Sequence, residues 1–149
     1  MAEFKHIVRV ANTDLDGKKE ILFALRKIKG VSVMFGNMTL SLSGIDRHKK
    51  AGDLLDAEVT RLNDVVTNPI KHGAPEWMLN RRNDYETGEN MHLLMADLTF
   101  SKETDIKRMK KTKSYKGLRH QWGLPVRGQR TQGNFRRHKG KGLGVKRKK

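Results

Sequence analysis

The last acidic residue of this chain is Asp105, and the 44 residues after it carry 17 lysines and arginines. A cation is buried only with a partner of opposite charge, and this segment has none to offer. The asymmetry is sharp. Residues 1–100 hold 14 basic and 14 acidic side chains, whereas residues 101–149 hold 18 and 2, so the whole formal charge of +16 lies in the last third. The chain therefore reads as a neutral body with a cationic tail. A field of one sign along a flexible segment opposes compaction and seeks a polyanion. Nucleic acid, anionic membrane and acidic protein are the candidates, and a plain solubilising tail is the bland alternative. A membrane-binding polybasic tail would want a paired apolar face or a lipid site, and the sequence supplies neither.

Cysteine is absent, which removes disulfide frameworks and thiolate metal sites and fits a cytoplasmic protein. The stretch "MAEFKHIVRVANTDLDG" is mixed in charge, and no 18-residue apolar run occurs, so neither export nor membrane spanning is expected.

Periodicity organises the first hundred residues. "FKHIVRVA" at 4–11 alternates loosely and predicts a short strand. Asp16 can cap a helix over about 18–29, with Ile21, Leu22, Leu25 and Ile28 on one stripe and Gly30 as a left-handed cap. Ser32 can start a second helix through Met34, Phe35, Met38 and Leu42, closed by Gly44. Gly36 costs that helix about 1 kcal/mol relative to alanine, which suggests a close neighbouring backbone. The tight "KGVS" turn makes the pair a helix-hairpin unit.

A third helix is expected from about Ala57 to Val66, capped by Asp56, with Val59, Leu62 and Val65 inward and Asn68-Pro69 as its stop. Pro75 suits the first turn of a short helix presenting Trp77 and Leu79, and "NDYETGEN" is turn chemistry around Gly88. "MHLLMADLTF" is ambiguous between strand and helix. A last helix can begin near Ser101, with Glu103 and Asp105 early and Lys110, Lys111 and Lys113 late, the order the macrodipole favours. After Gly117 regularity is expected to fade. The 33 residues from Gly117 onward hold only seven large apolar groups, too few to offset the entropy of folding. The apolar helical stripes precede Gly117, so the body should fold without the tail.

No set of residues converges on catalysis. His6, His48, His72, His92, His120 and His138 show no metal-ligand spacing. Asp84 and Glu86 sit in a turn, where a solvated loop explains them. "GKGLG" at 140–144 lacks the lysine–hydroxyl ending of a phosphate-binding loop. No cofactor, metal or enzymatic activity is expected.

The stretch "GLRHQWGLPVRGQRT" at 117–131 is the most informative segment. Arginine forks pair bidentately with phosphate and stack on bases, and glycine lets a backbone approach a polyanion closely. Trp122 can stack on a base or anchor the tail to the body. Single-stranded or irregular RNA suits such a segment better than B-DNA, which is usually read by a rigid element in the major groove.

With its flanks, "YKGLRHQWGLPVRGQRT" at 115–131 resembles the signature of the small-subunit ribosomal protein S-thirteen family. The order is Gly-Leu-Arg-His, Gly-Leu, Val-Arg-Gly-Gln and a threonine. "ALRKIKGVS" resembles that family's first helix and glycine turn, and "LLDAEVTRLNDVV" its third helix. "PEWMLNRRNDYETG" is similar to the insert of archaeal and eukaryotic members, called S-eighteen in eukaryotes, and Trp122 points to the same branch. Where many relatives have Gly-x-Gly at the first hairpin, Gly30 is followed here by Val31 and Ser32, and the serine can cap the next helix. The final 15 residues match only in being basic.

The resemblance implies a mainly α protein. A small helical body with a helix-two-turns-helix unit would span 1–116, with a branch-specific insert near 69–100, and an extended basic tail would span 117–149. It further implies a structural constituent of the small-subunit head that binds small-subunit ribosomal RNA. The implied neighbours are ribosomal protein S-nineteen, large-subunit ribosomal RNA and ribosomal protein L-five across the subunit bridge, and peptidyl-site tRNA. RNA contacts would fall on Lys116, Arg119, His120, Trp122, Arg127, Arg130, Arg136 and Arg137. The main alternative is a DNA-binding helix-two-turns-helix module without catalytic activity. A nuclease or RNA-modifying enzyme with a basic tail is a third reading, which a single-turnover assay on ribosomal RNA separates.

Overall fold

The computed structural model describes residues 4–132. The chain forms two compact units, residues 1–101 and residues 102–149. Its described part is mainly helical, as expected.

The first unit opens with a hairpin. Strands β1 (Ile7–Val10) and β2 (Thr13–Asp16) pair antiparallel, with Val8 opposite Leu15 and Val10 opposite Thr13. Period-two alternation puts these four side chains on the buried face. Ala11 and Asn12 make the two-residue turn with φ of 45° and 57°, the left-handed pair that matches strand twist. The Ala11 amide donates to Asn63 Oδ1 at 2.8 Å, which ties the turn to the third helix. The sequence reading anticipated the first strand and missed the second.

Asp16 does not cap a helix. It ends β2, and its carboxylate accepts from the Lys18 amide at 3.1 Å. Helix α1 is short, Ile21–Leu25, and the expected extension to Lys29 is drawn into i→i+3 turns, with Ile28 N bonded to Leu25 O and Val31 N to Ile28 O. These tight turns keep Ile28 and Val31 buried. Gly30 lies beyond the helix with φ of 104°. A Cβ there would sit 2.6 Å from the Leu93 carbonyl oxygen, so glycine serves a close backbone approach as well as a positive φ.

Helix α2 (Val33–Ser43) follows its expected bounds. Ser32 Oγ accepts from the Phe35 amide at 3.3 Å, and Gly44 closes the helix with φ of 70°. At Gly36 an added Cβ would meet only ordinary contacts with Leu22 and Leu25 of α1. Helix α3 (Asp56–Thr67) begins one residue earlier than expected, with Leu55 rather than Asp56 at the cap position. Glu58 accepts the Leu55 amide at 2.9 Å and pairs with Lys49 at 2.7 Å. The Lys49 ammonium and the Leu55 amide together hold the Glu58 carboxyl below its usual range.

One core unites these elements, around Leu15, Ile21, Leu25, Ile28, Phe35, Leu40, Leu54, Leu62 and Val66. Leu62 and Val65 are buried as expected, while Val59 is only partly buried.

The segment expected to be an insert returns to this core. Short 3₁₀ turns cover Pro69–His72 and Glu76–Met78. Leu79 is buried while Trp77 faces solvent. Asn80 then clasps the returning chain, its Nδ2 donating to Leu93 O at 2.7 Å and its Oδ1 accepting from Leu93 N at 2.8 Å. His92 stacks on Phe35 with ring centroids 3.7 Å apart and planes within 4°.

Helix α4 (Met95–Lys111) starts six residues before the expected Ser101. The reason is an anchor. The Met95 amide donates to Lys29 O at 2.9 Å, and its sulfur accepts from Lys29 N at 3.3 Å. Asp97 therefore occupies the first turn, and Glu103 and Asp105 fall in mid-helix.

Burial lowers the His92 pKa from 6.5 to about 4, with a partial offset from the Gly30 carbonyl. Above pH 6.5 both folded and unfolded chains carry the neutral ring. Between 6.5 and 4 the unfolded chain takes up a proton that the folded chain refuses, so stability falls as pH falls through that window. Partial exposure of the ring limits the loss to about 1–2 kcal/mol. Urea unfolding of His92→Phe across pH 4–7 should show a flatter profile than the parent, and an unchanged slope would contradict this assignment.

Candidate nucleic-acid interface

The second unit is built differently from the first. Among its described residues only Gly117 is buried, so polar and backbone contacts shape it. The last turn of α4 carries Arg108, Lys110 and Lys111, where cations meet the negative helix end. Arg108 pairs with Asp105 at 3.1 Å. The chain then reverses through Lys113, whose φ of 51° is left-handed.

Ser114 starts a further helix, α5 (Tyr115–Trp122), so regular structure continues past Gly117 rather than fading there. The serine hydroxyl has two partners, donating to Met109 O at 3.1 Å and accepting from the Gly117 amide at 3.2 Å. Gly117 explains why the helix lies so close to its predecessor. A Cβ at that position would be 2.1 Å from the Met109 carbonyl oxygen, which no side chain can occupy.

Helix α5 ends at Gly123, with φ of 66°. The Gly123 amide bonds His120 O at 3.3 Å, and the Leu124 amide bonds Arg119 O at 2.9 Å. This is the paired closure of a Schellman turn. Arg119 adds a side-chain bond, its Nε donating to the Pro125 carbonyl at 2.9 Å. Its guanidinium also lies 6.0 Å from the Tyr115 ring centroid, at the outer limit of a cation–π contact.

Four of the expected RNA contacts therefore share one helix. Lys116 and His120 are one turn apart, as are Arg119 and Trp122. Lys116 is exposed, while Arg119 and His120 are half-buried. Trp122 is 52% exposed, so a large part of the indole remains available for stacking. Arg127 and Arg130 lie exposed in the segment that follows, either side of Gly128, whose φ is 75°. Arg130 donates to Gln132 Oε1 at 3.4 Å. Arg136 and Arg137 lie outside the described residues.

Lys110, Lys111 and Lys113, which the sequence reading placed only at a helix end, belong to the same basic unit. Tyr115, whose ring lies beside Arg119, was not singled out from the sequence. Ser114 and Gly123, nine residues apart, are the capping signals that could have marked α5 in the sequence. Among the described residues no group of histidine and carboxylate side chains could hold a metal ion.

Comparison with known proteins bears on the whole chain. The sequence profile described as ribosomal protein S13/S18 matches residues 9–137. The small ribosomal subunit protein uS13 of Methanothermobacter thermautotrophicus is 50% identical over 147 residues, covering 99% of this chain and 97% of the relative. Its counterparts in Methanobrevibacter smithii and Nanoarchaeum equitans are each 47% identical over 145 residues, covering 97% of this chain and 97% and 94% of theirs.

Gly117→Ala should separate the two units experimentally. The added methyl would push α5 off the end of α4, while the apolar core of the first unit is untouched. We expect a changed Trp122 environment by near-ultraviolet circular dichroism, with a melting temperature within about 2 °C of the parent. A large fall in melting temperature would show that α5 supports the core.

Proposed function

The chain belongs to the ribosomal protein S13/S18 family and is a structural constituent of the small ribosomal subunit; from that premise we propose that its second unit binds small-subunit ribosomal RNA in the subunit head. The observation that carries this is the set of exposed cations on and after α5, Lys116, Arg127 and Arg130, in a stretch with no acidic residue beyond Asp105. Phosphates are the partner such a surface lacks. Half-exposed Trp122 supplies a ring for an unstacked base. Arg136 and Arg137 extend the same basic run. The full-length similarity to small-subunit proteins supports this reading over the DNA-binding alternative.

The neutral first unit takes the protein contacts. It exposes Phe23, Met34, Leu42 and Trp77, apolar area of the kind that interfaces cover. Ribosomal protein S-nineteen is one neighbour, and ribosomal protein L-five and large-subunit ribosomal RNA meet it across the subunit bridge. The basic run beyond α5 reaches towards peptidyl-site tRNA on cytoplasmic ribosomes. The role is architectural rather than catalytic.

Binding to a transcript of the 3′ major domain should be steeply salt-dependent. With about 6–10 phosphates contacted, affinity should fall on the order of 10³–10⁵ between about 50 and 200 mM salt. A filter-binding titration across that range reads it directly. A flat response would remove the electrostatic basis of the proposal.

A further inference from the structure

We infer that Arg119 is a positioning residue, whose guanidinium fixes the path by which the chain leaves α5 and so sets where Arg127 meets RNA. This rests on the RNA-binding reading above. Arg119 differs from the other cations of the segment in being half-buried, while Lys116, Arg127 and Arg130 are exposed. It also holds the exit at two successive residues. Its backbone carbonyl accepts the Leu124 amide at 2.9 Å, and its Nε donates to the Pro125 carbonyl at 2.9 Å. Tyr115, one turn earlier, flanks the guanidinium.

The choice of anchored residue matters. Proline fixes its own φ near −65°, so holding the Pro125 carbonyl orients the peptide that leads to Val126. Arg127 is two residues beyond the anchor, a reach of about 7 Å, and has little freedom to drift. Arg130 is five residues beyond, past the Gly128 bend, and inherits less of the constraint. Lysine cannot reproduce the clasp. It has no donor at the δ–ε position of its chain, and its ammonium is a mobile point charge without a planar fork.

A direct phosphate contact and a positioning role give different double-mutant behaviour. Independent contacts add, whereas a residue acting through another does not. The test uses the full chain and the 3′ major-domain transcript at fixed salt, with Arg119→Gln, Arg127→Gln and the double variant. Both single variants should bind more weakly, and Arg127→Gln should change affinity by less than about twofold in the Arg119→Gln background. The same cycle with Arg119→Lys, which keeps the charge, should show the same coupling, and the cycle with Arg130→Gln should show less. Additive losses in both Arg119 backgrounds would overturn the assignment.

A readout without RNA separates this from the binding proposal. In the free protein, backbone order parameters at Leu124, Val126 and Arg127 should fall from about 0.8 to below about 0.6 in Arg119→Gln. Retained order there would overturn the positioning role even if RNA binding weakened. Loss of order combined with no binding by the parent would instead overturn the RNA-binding proposal, and this assignment with it.

Discussion

Positive charges that follow Asp105 without a single counter-charge cannot enter an apolar interior, and the rest of the architecture follows from that constraint. Folding stability has to come from the part of the chain where the charges balance. The core accordingly draws its members from Val8 to Val66, with Leu94 and Met95 packed against it. Shape in the cationic part has to come from contacts that fully bury no cation. Backbone apposition at Gly117, the two-way Ser114 hydroxyl and the Gly123 closure meet that requirement. Each leaves Lys116, Arg127 and Arg130 exposed.

The two halves thus solve different problems with different chemistry. In the first unit, loops are tied down by side-chain clasps to a packed interior, as Asn80 does to Leu93 and Met95 to Lys29. In the second, a helix of eight residues is held at both ends by capping and along its first turn by glycine. Such a helix is weak alone, and phosphate groups are the ligands that would reinforce it. On this view RNA completes the second unit as apolar burial completes the first.

Legibility in the sequence followed the same division. Helix α2 was plain because Ser32 and Gly44 mark its ends, and α3 because Asn68-Pro69 stops it. Strand β2 was hidden because "TDLD" buries only Thr13 and Leu15, and its turn, Ala11-Asn12, lacks the glycine that usually betrays a hairpin. The first helix was drawn too long, because its apolar stripe continues through Ile28 while the backbone has tightened into single turns. Helix α5 was hidden by Gly117, which reads as a helix breaker by propensity. Its actual service is a close crossing of backbones, a tertiary fact that no local pattern records. The signature residues were located by resemblance, and the structure adds that Arg119 is bonded back to its own chain.

The central claim is that stability resides before residue 102 and RNA affinity after it. A chain ending at Thr112, which lacks α5 and everything beyond, tests both parts at once by thermal melting and by sedimentation with small subunits stripped of this protein. The account predicts a cooperative melt within a few degrees of the full chain, together with a loss of binding of about a hundredfold or more. A truncated chain that fails to fold, or one that joins the subunit as tightly as the parent, would contradict it.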